Sequence, residues 1–263
     1  MPEINFSADA AGELPGYHAA PAEGDGPWPG VVVLHEAFGL TEDIREQADR
    51  FAAAGYLALA PDLYTAGPRL RCVRKAFQDL VARRGRTWEA IEAARAWLAG
   101  REECTGKVGV IGFCMGGGFA LVAAAKYDFA AASVNYGYVP RRAAQVLAGA
   151  CPVVASYGKR DLMLRKAAAK LDRVLADLDV PHDVKEYPDV GHGFLGRHEP
   201  PLPVIMLSKI MMSYGYDAVA AEDAWTRILG FFGDHLGAGA PPAHPKAPGS
   251  PEAPEPAAPA EPS

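Results

Sequence analysis

The chain has 263 residues, 49% apolar and 22% charged, with a formal net charge of −6 at pH 7. That length suits one large α/β domain or two small ones, and the acidic balance argues against a nucleic-acid footprint, which would be basic. No apolar run approaches the ~18–20 residues needed to cross a bilayer. The opening Met1-Pro2-Glu3-Ile4 lacks the basic and apolar segments of a signal peptide. Four cysteines, Cys72, Cys104, Cys114 and Cys151, form no C-x-x-C pair and read as thiols of a reducing compartment. The expectation is a soluble cytoplasmic protein that neither binds nucleic acid nor enters a membrane.

In chain order, the first strong signal is the β-branched run Gly30 to His35, which opens into Glu36-Ala37-Phe38-Gly39. Thr41-Glu42-Asp43-Ile44 reads as a helix start with Thr41 as cap, running to Phe51 and ending at Gly55. Tyr56 to Ala60 is a buried strand stopped by Pro61-Asp62, and helices follow over roughly 70–84 and 87–99. Lys107 to Ile111 is a strand, Gly116 to Lys126 a small-residue helix, and Ala131 to Tyr136 and Pro152 to Tyr157 two more strands. A helix over 163–178, a strand over 182–187 and a helix over 219–236 complete the domain. Continuous apolar strands alternating with helices predict an α/β fold, a mostly parallel sheet covered on both faces. Neither G-x-G-x-x-G nor a P-loop occurs. Residues 237–263 hold nine prolines among alanine, glycine and serine, and read as a disordered, PPII-leaning tail after a domain spanning 1–236.

The stretch Val108 to Gly118 reads strand, then Gly112-Phe113-Cys114-Met115-Gly116, then helix. A nucleophile elbow needs small residues two before and two after the nucleophile, because the turn is strained and strand and helix pass close together. Cys114 then stands at a helix N-terminus, where the dipole favours thiolate. Nucleophile, acid and histidine follow in α/β-hydrolase order: Asp161 comes 47 residues after Cys114, and His192 lies 31 residues beyond it, in Gly191-His192-Gly193-Phe194. The His35 loop lacks the second histidine of a zinc motif, so no metal is implied. In that fold it supplies one oxyanion N–H, and the residue after the nucleophile the other, which makes Ala37 and Met115 the backbone donors.

Glu36 with Phe38-Gly39, Gly55-Tyr56, Pro61-Asp62-Leu63-Tyr64, the Gly112 to Gly117 elbow, Asp161 and Gly191 to Phe194 together resemble the dienelactone hydrolase family (carboxymethylenebutenolidases) over residues 3–236. The resemblance implies a cofactor-free cysteine hydrolase that opens an unsaturated lactone. Cys114 is its nucleophile, His192 its base, Asp161 the residue orienting His192, and Glu36 the carboxylate beside the resting thiol. It also implies two arginines that hold a substrate carboxylate. The position four after the histidine is Gly196, so Arg197, the next residue, is one candidate; Arg74 is the other, the best match among Arg69, Arg71 and Arg74. Tyr136 joins them as a substrate-binding residue. The apolar stretch over 197–218 reads as a lid or an interface, and the small family members imply a monomer. The alternatives are a broader carboxylesterase or thioesterase on the same triad and, from another class, a thiol redox sensor or binder. A haloalkane dehalogenase would want an aspartate at the elbow.

Overall fold

The computed structural model describes residues 3–8, 12–64, 67–197, 209 and 211–237. Its strands are β1 (Glu3–Ala8), β2 (Gly12–Ala19), β3 (Trp28–Leu34), β4 (Leu57–Pro61), β5 (Cys104–Phe113), β6 (Ala131–Asn135), β7 (Val153–Gly158) and β8 (His182–Tyr187). Its helices are α1 (Glu42–Ala53), α2 (Arg69–Ala82), α3 (Arg86–Ala99), α4 (Met115–Lys126), α5 (Ala143–Val146), α6 (Ala167–Asp177) and α7 (Ala218–Leu236). The eight described strands make one sheet in the order β1-β2-β4-β3-β5-β6-β7-β8. From β4 to β8 every pair is parallel, while β1 pairs antiparallel with β2 and β2 antiparallel with β4.

Successive residues of the central strands belong to opposite cores, as the two-residue period of a strand requires. Val32, Leu34, Leu57, Leu59, Val108 and Val110 pack beneath α2, α3, α4 and α6. Val31, Val33, Ala58, Ala60, Ile111 and Phe113 pack beneath α1 and α7. Burial on both faces explains the unbroken apolar runs of these strands. Helix α4, Met-Gly-Gly-Gly-Phe-Ala-Leu-Val-Ala-Ala-Ala-Lys, is apolar all round because it is buried all round from Met115 to Ala124.

Two features depart from the sequence reading. The antiparallel pair β1–β2 was not anticipated, since Pro15 and Gly16 weaken the strand pattern of β2 and place its pairing at the sheet margin. Thr41 does occupy the N-cap of α1, yet its side chain makes no capping hydrogen bond; the acidic first turn, Glu42 and Asp43, faces the helix dipole instead. The proline-rich segment from residue 238 onward, and most of the 197–218 stretch, lie outside the described residues.

Candidate active site

Strand β5 passes into α4 through a single residue, Cys114, whose backbone sits at φ 55° and ψ −114°. That is a conformation residues with a Cβ seldom adopt, and it persists only where the surroundings over-determine it. They do so here. Any Cβ on Gly112 would collide with the Gly116 carbonyl, and any Cβ on Gly116 with the Leu34 carbonyl. The Cys114 N–H is held by the Asn135 carbonyl at 3.0 Å. The thiol is thus half-buried at the head of α4, where free N–H groups and the helix dipole favour negative charge.

Asp161 follows β7 and His192 follows β8, both at the carboxyl end of the sheet. Nδ1 of His192 donates to Oδ2 of Asp161 at 2.6 Å, and Oδ1 of Asp161 accepts the Met163 N–H at 2.9 Å. Both side chains are buried. Nε2 of His192 lacks a partner of good hydrogen-bond geometry, yet it lies close enough to Cys114 for the two to share a charge balance. Burial pulls the His192 imidazole down. Negative charge on Cys114 and the Asp161 carboxylate outweigh it and push the group up to about 10. His192 thus stands within electrostatic reach of the thiol on one side and of Asp161 on the other.

Glu36 lies just past β3, with its carboxyl buried among His192, Asp43, Tyr214 and Tyr136. Burial and the neighbouring Asp43 push it up to about 7, against the lowering influence of His192 and the two phenols. The Tyr214 hydroxyl donates to its Oε2 at 3.4 Å, whereas Oε1 is buried without a hydrogen bond. The preceding His35 is fully buried and kept neutral by that burial. Its Nδ1 meets the Glu36 carbonyl at 2.7 Å and its Nε2 accepts the Leu63 N–H at 3.1 Å. His35 thereby braces the loop that carries Ala37, the loop being closed by a Gly39 N–H to Glu36 carbonyl bond of 3.1 Å. Met115 is the first residue of α4, so its N–H has no partner within the helix.

The remaining candidates fall in different places. Tyr136, buried and left-handed at φ 42°, sets its ring 4.9 Å from that of His192, tilted by 55° to it. Arg74 is exposed and lines a cavity of about 370 Å³ with Asp62, Leu63, Arg71 and Arg86, without Cys114 or His192. Arg197 is exposed, with its guanidinium 5.1 Å from the Tyr216 ring centre and its N–H on Asp43 at 2.7 Å. Arg69 instead lies against Gly39 of the Glu36 loop. Beside it Tyr64, whose hydroxyl reaches Met115 Sδ at 3.9 Å, feels the charges of both Cys114 and Arg69. Tyr214 and Asp43, which surround Glu36, had no signal in the sequence. Among the described residues no cluster of three or more His, Cys, Asp or Glu side chains is arranged to hold a metal ion, and no helix is long and apolar enough to cross a membrane.

A doubly covered, mostly parallel sheet with a strained nucleophile-type elbow at the carboxyl end of its strands defines an α/β-hydrolase. The match to the dienelactone hydrolase family model runs over residues 14–236, and the chain belongs to that family as a hydrolase of ester or lactone bonds. A Methylorubrum extorquens relative is 30% identical over 240 residues, covering 84% of this chain and 77% of its own. A Rhodococcus opacus protein named carboxymethylenebutenolidase is 28% identical over 243 residues, covering 86% and 88%. A solved structure from Klebsiella pneumoniae overlays with a TM-score of 0.73 at 25% identity, covering 88% of this chain and 98% of its own.

Proposed function

We propose that the chain is a cysteine-dependent hydrolase that opens a small unsaturated lactone of the dienelactone type. The observation that carries this reading is the left-handed Cys114 at the head of α4 beside a buried His192–Asp161 pair. The thiol gives its proton to the Glu36 carboxylate, and the thiolate attacks the lactone carbonyl. The N–H groups of Ala37 and Met115 hold the resulting oxyanion; such donors are typically worth about 3 kcal/mol each. The ring oxygen leaves and takes the proton held on Glu36, giving a thioester. Water then attacks the thioester with His192 as base, Asp161 steadies the imidazolium that forms, and Cys114 is released. No step requires a cofactor.

For a substrate carboxylate, Arg69 is the best-placed cation, since it lies on the Gly39 side of the Glu36 loop. A broader carboxylesterase is the second reading, favoured by the outward setting of Arg197 on Tyr216 and of Arg74 on its separate cavity. Four free thiols among the described residues fit a reducing compartment. Steady-state hydrolysis of cis- and trans-dienelactone beside neutral aryl esters, with wild type and Cys114→Ala, tests the proposal. Efficient opening of the anionic lactone, lost in Cys114→Ala, is the expected result. Turnover of neutral esters alone would leave the triad and remove the lactone, and alkylation of Cys114 with no turnover would favour a thiol sensor.

A further inference from the structure

We propose that Tyr214 is a positioning residue for Glu36, tying the carboxyl that serves the thiol to the segment that holds the catalytic histidine; this rests on the cysteine-hydrolase reading above. Residues 212–217 run along the histidine loop. The His192 N–H donates to the Met212 carbonyl at 2.8 Å, the Gly215 N–H to the His192 carbonyl at 3.2 Å, and the Asp217 N–H to the Phe194 carbonyl at 3.1 Å. Within this segment Ser213 is held at φ 46°, left-handed for a residue with a Cβ, a conformation that survives only where packing enforces it. Beyond that turn Tyr214 points inward and is 8% exposed, while Tyr216 is 42% exposed. Gly193, at φ 74°, leaves no space for a Cβ against the Tyr214 ring, so the ring is seated directly on the catalytic loop. Its hydroxyl then meets Glu36 Oε2 at 3.4 Å.

A phenol donates best to an ionised carboxylate. Four side chains face Glu36: His192 from the loop after β8, Asp43 from α1, Tyr136 from the end of β6, and Tyr214. Asp43 opposes ionisation and the other three favour it. Of the three, Tyr214 donates to Glu36 Oε2, and it comes from the same segment that anchors His192. Tyr214 thus helps set the pH at which Glu36 becomes able to accept the proton of Cys114 Sγ, a transfer that leaves a thiolate and a neutral carboxylic acid.

The test is the pH profile of kcat/KM on a neutral aryl ester. Activity that needs ionised Glu36 rises with pH through the Glu36 ionisation. Removing a donor to the ionised form moves that limb to higher pH, by about one unit in Tyr214→Phe. The alkaline plateau changes far less than the limb. Glu36→Gln, which cannot take the thiol proton, loses turnover across the range. A profile of Tyr214→Phe superimposable on wild type would overturn the proposal. Infrared titration of the protonated Glu36 carbonyl band, assigned by its loss in Glu36→Gln, gives a second readout that needs no turnover. It therefore decides the role of Tyr214 even where Cys114→Ala were to leave hydrolysis intact and sink the cysteine mechanism. A band titrating at the same pH with and without the Tyr214 hydroxyl overturns the proposal.

Discussion

Nδ1 of His192 lies 2.6 Å from Oδ2 of Asp161 inside the protein, and that contact fixes the tautomer of the ring. With the proton on Nδ1, Nε2 is the basic nitrogen on the thiol side. The second oxygen of Asp161 is tied to the Met163 N–H at 2.9 Å, so the carboxylate cannot turn away. Asp161→Asn keeps the shape, loses the charge and presents an amide donor to Nδ1, which favours the wrong tautomer. We expect kcat to fall by a factor on the order of 10³–10⁴, with a much smaller change in the urea unfolding midpoint. A loss of tenfold or less would mean that Asp161 does not orient the base.

The strain at Cys114 makes a prediction of unusual sign. Glycine in place of alanine ordinarily destabilises a regular element by about 0.5–1 kcal/mol. At φ 55° and ψ −114° the Cβ itself is the source of strain. Cys114→Gly and Cys114→Ala both remove the thiol and turnover, but the glycine variant should be the more stable of the two, by roughly 1–2 kcal/mol. Urea unfolding of both variants measures this. An alanine variant at least as stable would show that the elbow stores no strain.

The elbow was legible in the sequence because its cause is local: Gly112 and Gly116 are demanded by backbone atoms a few residues away or in the neighbouring strand. The central strands β3, β4, β6 and β7 were legible for a related reason, since burial on both faces leaves an unbroken apolar run. The β1–β2 pair was not, because Pro15 and Gly16 obscure its alternation and its pairing depends on β4. Tyr214 was invisible for the opposite reason to the elbow, as it meets Glu36 across 178 residues of chain. The arginines show a third case. Arg69 and Arg74 lie on the same helix, five residues apart, and which of them faces the Glu36 loop depends on helix rotation rather than on spacing to a motif.

The buried Glu36 carboxyl should make stability depend on pH in a definite direction. Its folded value, about 7, lies above the ordinary carboxylate value of 4.5, because burial opposes the charge. The folded state therefore binds this proton more tightly than the unfolded state. The stability it contributes is fully present below about pH 4.5 and is lost as pH rises through about 7. Glu36→Gln carries no charge and escapes that loss. We expect the variant to gain on wild type as pH rises from 5 to 8.5, by up to about 3 kcal/mol of relative unfolding free energy. Urea titrations at the two pH values measure it. A difference that stays constant would mean that Glu36 ionises normally.

The arginines separate the lactone reading from the esterase reading. Arg69 lies beside Gly39, and with Cys114 it acts on the Tyr64 hydroxyl, whereas Arg74 opens onto a cavity that includes neither Cys114 nor His192. A charge-assisted contact to a substrate carboxylate is worth about 1.5–3 kcal/mol, roughly 10- to 100-fold in binding. Arg69→Ala should then raise KM for an anionic dienelactone by about that factor and leave kcat/KM for a neutral aryl ester within about twofold. Arg74→Ala should alter neither, since Arg74 is exposed and its cavity includes neither Cys114 nor His192. Steady-state kinetics of the two variants on both substrates decide the matter. If Arg74→Ala alone discriminates, the carboxylate lies in the cavity between α2 and α3. If neither variant does, the site has no carboxylate clamp from α2 and the broader esterase reading gains.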